Sequence, residues 1–129
     1  MNTLQGLILF AHGARDARWS EPFAEVATRI QTLRPELVVR LAFLEFMAPT
    51  LAEAGAELAA AGCTKITVLP MFLGVGGHVR RDLPQMLDAM RLATPNCQID
   101  VTAAIGEQDS VMQAMALAAI ELLAKASPP

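Results

Sequence analysis

Leu7-Ile8-Leu9-Phe10-Ala11 is an unbroken apolar run that closes at His12-Gly13. Such a run, with no polar alternation, suits a strand buried on both faces, and strands of that kind belong to parallel sheets. Downstream, Ser20 and Glu21-Pro22 make a helix start. Phe23, Val26, Ala27, Ile30 and Leu33 follow at helical spacing until Arg34-Pro35 stops the helix. A unit of strand, turn and amphipathic helix is therefore complete by Pro35.

The unit recurs three more times. Residues 37–44 predict a second strand, rich in branched and aromatic side chains; Pro49 opens a helix carrying Leu51, Ala54, Leu58 and Ala61, and Gly62 caps it. Residues 66–69 predict a third strand, followed by a loop over 70–77 with three glycines that ends at His78. The third helix carries Val79, Leu83, Met86, Leu87 and Met90, with Pro84 tolerated only near its first turn. Residues 99–105 predict a fourth strand, and Gly106 leads into a last helix. Strands alternating with helices of this length imply right-handed crossovers. The expected fold is α/β: one βαβ-repeat domain over residues 1–129, with a four-stranded, mainly parallel sheet and helices on both faces. Ser127-Pro128-Pro129 reads as a frayed tail.

At 129 residues one domain suffices, yet the chain is 53% apolar with a mean hydropathy of +0.39. No apolar run reaches the roughly 18–20 residues that cross a bilayer, and no basic segment precedes the first apolar stretch, so a cytoplasmic protein off the membrane is expected. The surplus apolar surface points to a homodimer. Residues 111–124 add Met112, Met115, Ala116, Ala119 and Leu123 to a Val111/Leu117/Ile120 face, and a helix apolar nearly all round is usually covered nearly all round. A net charge of −3, a single Trp and no Tyr argue against a nucleic-acid partner. Cys63 and Cys97 lack C-x-x-C pairing and read as structural thiols, kept reduced in a cytoplasmic chain.

In an open parallel sheet, ligands bind beyond the carboxyl ends of the strands. That edge collects His12, Gly13, Arg15, Asp16 and Arg18 after the first strand, Glu45 after the second, His78, Arg80 and Arg81 after the third, and Glu107 after the fourth. Both histidines of the protein are there, each beside glycine (Gly13; Gly76-Gly77), which lets a ligand approach closely. A lone histidine after a strand is often only hydrogen-bonded; two at one edge are more specific. Glu45 ends an apolar strand, where a buried carboxylate needs a partner. It either makes a salt bridge or loop hydrogen bonds, or assists a cation held by the histidines, since two imidazoles and a carboxylate suit Zn, Fe, Co or Ni. Gly74-Val75-Gly76-Gly77 could offer backbone N–H groups to an anion, but it matches neither common nucleotide-binding pattern. Arg15, Arg18, Arg80 and Arg81, four of the ten basic residues, form either a solvated rim or a site for an anionic substrate.

Ala11-His12-Gly13-Ala14-Arg15-Asp16-Ala17-Arg18-Trp19, Phe43-Leu44-Glu45 and the run from Leu69 through Gly76-Gly77-His78-Val79-Arg80-Arg81-Asp82-Leu83-Pro84 resemble the small class II chelatases. These CbiX-type lyases of cobalamin and sirohaem biosynthesis act on sirohydrochlorin. The resemblance covers residues 7–106 with the three motifs in order. It implies that His12 and His78 bind the metal and catalyse, that Glu45 assists, and that the chain forms a homodimer. It further implies ATP-independent insertion of Co²⁺, Fe²⁺ or Ni²⁺ into the tetrapyrrole, with no nucleotide. The arginines Arg15, Arg18, Arg80 and Arg81, with Gly76 and Gly77, would bind its carboxylates. Two departures are Ala14, where many relatives carry serine, and the lack of a histidine-rich tail.

Two other readings compete. Histidine phosphatases also place His-Gly after their first strand, but with arginine immediately before the histidine, where this chain has Ala11. A non-catalytic carrier of metal or tetrapyrrole is the second alternative.

Overall fold

The computed structural model describes residues 4–126, apart from the side chain of His78. The tail expected at Ser127-Pro128-Pro129 lies outside the described residues. Four strands, β1 (Leu4–Ala11), β2 (Leu37–Phe43), β3 (Cys63–Pro70) and β4 (Gln98–Val101), alternate with four α-helices. The helices are α1 (Glu21–Leu33), α2 (Leu51–Ala60), α3 (Gly77–Ala93) and α4 (Asp109–Lys125), and short 3-10 turns at Ala17–Ser20 and Ile105–Glu107 precede α1 and α4. The strand order is β2-β1-β3-β4 and every pairing is parallel. The α/β sheet predicted from the repeats is thus present, with β1 between β2 and β3.

Register decides which side chains share a face. Ile8 lies beside Arg40 and Val68, and Phe10 beside Ala42 and Pro70; one residue along, Leu9 lies beside Leu41 and Leu69. Of the first set, Ile8, Phe10, Ala42 and Val68 join Ile66 and Ile99 in a core closed by Leu51, Ala54 and Leu58 of α2 and by Val79, Leu83, Leu87 and Met90 of α3. Close approach of the two helices depends on Gly55, where a Cβ would stand 2.7 Å from the Met90 side chain. The second face is covered by α1, which packs over β2 and the edge of β1. Leu9, Ala11, Val39 and Phe43 are buried there. Toward β3 the same face opens: Thr67 and Leu69 are only half-buried, and Lys65 is exposed.

Several boundaries differ from the sequence expectation, each for a local reason. Pro49 does not open α2. It follows Ala48 through a cis peptide bond and stands outside the helix, while Thr50 is the N-cap, its hydroxyl accepting from the Glu53 N–H as the Glu53 carboxylate accepts from the Thr50 N–H. β2 ends at Phe43; Leu44 and Glu45 still donate to the Ala11 and His12 carbonyls before the chain turns at Phe46, whose φ is positive. β3 starts three residues earlier than its apolar core, at Cys63. β4 ends at Val101 rather than at Ile105, since Thr102 donates to the Val68 carbonyl and Gly106 to the Phe72 carbonyl, drawing the chain across the end of β3. A side chain at Gly106 is impossible there, as its Cβ would lie 2.2 Å from the Leu73 carbonyl oxygen. Pro84 sits well past the first turn of α3, so the Arg80 carbonyl goes without its helical donor.

The last helix departs most from a compact layer. α4 is apolar around its circumference, yet none of its residues is buried, and within its own chain it packs chiefly against the 3-10 turn before it. No helix among the described residues is long and apolar enough to cross a membrane.

Candidate active site

β1 feeds α1 on one face of the sheet, while β3 feeds α3 on the other. The loops leaving β1 and β3 therefore diverge and open a crevice between them, the place where parallel sheets hold ligands. His12 is the first residue beyond β1 at that crevice, and its side chain is exposed to solvent. Its ring stands edge-on to Phe72, with centroids 5.2 Å apart and an 83° angle between planes. Phe72 in turn packs edge-on against Phe10, 6.0 Å away in the core. The imidazole thus rests on a rigid aromatic stack that fixes its position without a hydrogen bond.

Glu45 comes alongside from β2. Its N–H donates to the His12 carbonyl at 3.1 Å, and Leu44 donates to Ala11 at 2.9 Å, extending the β1–β2 ladder past the formal strand ends. The Glu45 side chain is exposed, so the burial cost expected for this carboxylate does not arise. Gly13 also has a different reason from the one its position suggests. Its φ is +92°, and a Cβ would fall 1.9 Å from the Glu45 carbonyl oxygen. Backbone from β2 occupies that space, and the glycine lets the His12 and Glu45 segments touch.

On the other flank, Met71 donates to the Phe10 carbonyl at 2.7 Å and starts the glycine loop. Gly76 is the N-cap of α3, followed by Gly77 and His78 in its first turn. Nothing lies within 4 Å of where a Cβ would stand at Gly74, Gly76 or Gly77, so this stretch leaves open space at the helix N-terminus. His78 stands in the first turn of α3, after the loop that leaves β3; its side chain lies outside the described part. Among the described residues no three His, Cys, Asp or Glu side chains converge on a metal position.

The four arginines divide into two pairs. Arg15 lies over the Phe46 ring, 4.8 Å from its centroid. Arg18 pairs with Asp16 at 3.2 Å and donates its backbone N–H to the same carboxylate at 2.9 Å. The Arg18 side chain and that backbone hydrogen bond hold the Asp16 carboxyl below its usual range. Arg80 and Arg81 are exposed on the first turns of α3, and Arg80 reaches back to the Val75 carbonyl at 3.4 Å. Arg15, Arg80 and Arg81 remain available to a bound anion, while Arg18 already holds a carboxylate. Glu107 lies apart, in the turn before α4.

Phe46 and Phe72 are the site residues that residue-type reasoning misses. Phe46 holds a positive φ of 65° with an exposed ring, an uncommon backbone state for a bulky residue that no local sequence signal announces. Phe72 is written plainly between Pro70 and the glycines, and the one available signal is an aromatic placed directly after a buried strand.

The sirohydrochlorin cobaltochelatase of Saccharolobus solfataricus is 34% identical over 106 residues, covering 77% of this chain and 79% of that enzyme. The enzyme of the same name from Methanococcoides burtonii is 35% identical over 82 residues, which are 64% of this chain and only 63% of that protein's own length. Among solved structures, a CbiX protein of cobalamin (vitamin B12) biosynthesis from Marinobacter aquaeolei VT8 superposes with a TM-score of 0.84 at 28% identity, over 95% of this chain and 99% of that one. The cobalt complex of the sirohydrochlorin chelatase SirB from Bacillus subtilis subspecies spizizenii superposes with a TM-score of 0.78 at 22% identity. It shares the fold, with 91% of this chain covering 50% of that one. The CbiX family model matches residues 6–122, nearly the whole described chain, and the protein belongs to the CbiX family.

Proposed function

We propose that this chain is a metal chelatase that inserts a divalent ion, cobalt first and ferrous iron second, into sirohydrochlorin without ATP. The observation that carries the reading is the contact of His12 with Glu45 at the crevice between β1 and β3, in a chain of the CbiX family. Sirohydrochlorin cobaltochelatases are among its relatives. The metal is a substrate here, passed to the macrocycle and not retained.

Insertion requires that two pyrrole N–H protons leave as the metal enters. A neutral imidazole can offer its lone pair to the ion or accept a proton near neutral pH. His12, braced by Phe72, presents that lone pair to solvent at the crevice, and His78, in the first turn of α3, would supply the second imidazole. Glu45 supplies a carboxylate beside His12 that steadies the ion or takes up a proton. Arg15, Arg80 and Arg81, with the open N–H groups at Gly76 and Gly77, suit the carboxylates on the rim of the macrocycle. Arg18 acts at one remove, by holding Asp16 and the turn that carries Arg15.

We further propose that the chain works as one chelatase domain, in the cytoplasm and as a homodimer. The free thiols Cys63 and Cys97 suit a reducing compartment, and the uncovered α4 supports a second copy. The test is anaerobic insertion into sirohydrochlorin followed by absorbance, comparing Co²⁺, Fe²⁺ and Ni²⁺ with enzyme-free controls. Acceleration by the wild type and its loss in His12→Ala are expected. Tight tetrapyrrole binding without acceleration by any metal would make the protein a carrier instead.

A further inference from the structure

Cys63 and Cys97 stand 34 residues apart in sequence, yet the fold sets both at one corner of the sheet, at the end opposite the His12 crevice. Cys63 begins β3, and Cys97 immediately precedes β4. Strict alternation back from the buried Ile66 would turn Thr64 to the core. The β1–β3 register shifts between Leu4 and Gln5, however, so Thr64 is the extra residue of a bulge and Cys63 faces inward beside Gly6. Cys97 packs against the same buried cluster, and its Sγ donates to the Cys63 carbonyl at 3.1 Å. Burial first, and the neighbouring Cys97 thiol second, push the Cys63 thiol up, so the two sulfurs lie within each other's field. Both line an open cavity of about 310 Å³ between the α2–β3 and α3–β4 connections. Its other walls, among them Ala59, Gly62, Ala93 and Pro95, bring no imidazole or carboxylate, and the Thr94 hydroxyl is committed to the Met90 carbonyl at 2.7 Å.

We propose that Cys63 and Cys97 together bind one soft, thiophilic monovalent cation of the copper(I) class, at a site separate from the crevice. The donor set selects the ion. Thiolates favour copper(I), zinc and iron–sulfur clusters. Zinc and the clusters call for more ligands than a pair, and among the described residues no group of three His, Cys, Asp or Glu could hold a metal. A closed-shell monovalent ion is satisfied by two sulfurs. Binding displaces both thiol protons to water and leaves a bis-thiolate complex with a single negative charge; no electron is transferred. Arg40, on β2, favours the Cys63 thiolate and offsets part of that charge. Cys97, the half-buried member, can trade its hydrogen bond to the Cys63 carbonyl for a bond to the ion, while the buried Cys63 stays in place. The site does not depend on the chelatase reading. It gives the chain two metal preferences at opposite ends of one sheet, soft ions on sulfur and divalent ions on imidazole.

The experiment titrates the full chain, reduced and anaerobic, with copper(I) in competition with a chromophoric copper(I) chelator. One ion per chain is expected, with ultraviolet sulfur-to-copper absorption. Cys97→Ser and Cys63→Ala should each weaken binding by more than about 100-fold, beyond the loss that removing a merely supporting residue brings. Cys97→Ser keeps the test sound if the buried Cys63→Ala fails to fold, and matched circular dichroism and urea unfolding show that it is intact. His12→Ala should bind copper(I) as the wild type does. Unchanged affinity in folded Cys97→Ser would overturn the proposal. So would loss of the ion in His12→Ala, which would place it in the crevice. One ion shared between two chains would make the thiols a bridge between copies and overturn the intrachain site. Zinc held by the two thiols as tightly as copper(I) would overturn the choice of ion. A protein that binds copper(I) in this way but accelerates no insertion into sirohydrochlorin would uphold the thiol site and remove the chelatase reading alone.

Discussion

The two faces of the sheet are built to different standards. On the α2/α3 face, strands and helices close over one another: Ile8, Phe10, Leu58, Ile66 and Val68 are fully buried, and Gly55 lets α2 close on Met90. On the α1 face, no residue of α1 is fully buried, Leu33 is 78% exposed, and α4 stands away from the sheet. The strand residues follow the same division: β3 turns Ile66, Val68 and Pro70 to the first face and Lys65, Thr67 and Leu69 to the second. One face is finished by its own chain; the other is left partly open. The crevice with His12 lies at the carboxyl edge shared by the two faces, anchored to the finished one through Phe72 and Phe10.

The largest expected effect breaks the finished face. Leu58→Ala removes a fully buried side chain from a core that cannot collapse around the gap. It should cost about 2–5 kcal/mol in urea unfolding. The equivalent truncation on the open face, Leu33→Ala, should stay within about 0.5 kcal/mol. Leu123→Ala sharpens the comparison further: its effect on the thermal midpoint should grow with protein concentration, as expected when stability includes association. Equal losses at Leu58 and Leu33 would remove the distinction between the faces.

A second effect tests the joint between face and site. Gly13→Ala places a methyl on the Glu45 carbonyl and forces a φ of +92° on an alanine. The cost should be about 1–3 kcal/mol of stability. Because the His12 and Glu45 segments separate, metal insertion should fall at least tenfold even where the protein is still folded. A folded Gly13→Ala enzyme with full activity would show that the His12–Glu45 contact does not set the chemistry.

Much of this was legible in the residues themselves. Continuous apolar runs such as 7–11 and helical spacing such as Phe23 to Leu33 specify a parallel α/β sheet, because burial on two faces and on one stripe leave different periods. His12, Glu45 and the glycine loop could be placed at one edge from topology alone. What escaped depends on groups distant in sequence. Gly13 answers to a carbonyl from β2, and Gly106 to the backbone of Leu73. β4 ends where Thr102 and Gly106 find acceptors on the β3 side, although the residues of 99–105 read as one strand. Pro84 lies deeper in α3 than its chemistry favours, tolerated where tertiary packing of Leu83 and Leu87 holds the helix on both sides. The α2 start is a different case. Thr50 and Glu53 carry the capping-box spacing openly, and the Pro49 rule competes with it from the neighbouring position.

That capping box gives the smallest effect, and it tests whether the finished face is also finished at its helix ends. Thr50→Ala removes the hydroxyl that accepts from the Glu53 N–H and should cost about 1 kcal/mol. The reciprocal half depends on pH. The Thr50 backbone N–H, and to a lesser extent its hydroxyl, hold the Glu53 carboxyl below its usual range. A carboxylate whose folded pKa is depressed binds protons more readily when unfolded. Its contribution is therefore complete above the unfolded pKa and is lost as the pH falls through the folded one. The stability difference between the wild type and Glu53→Gln should be constant near neutrality and shrink below about pH 5, where unfolded glutamates begin to take up protons. Urea unfolding of the two proteins at several pH values measures it directly. A difference that stayed flat into acid would mean the Glu53 charge contributes nothing to the cap, leaving the Thr50 hydroxyl as the group that starts α2.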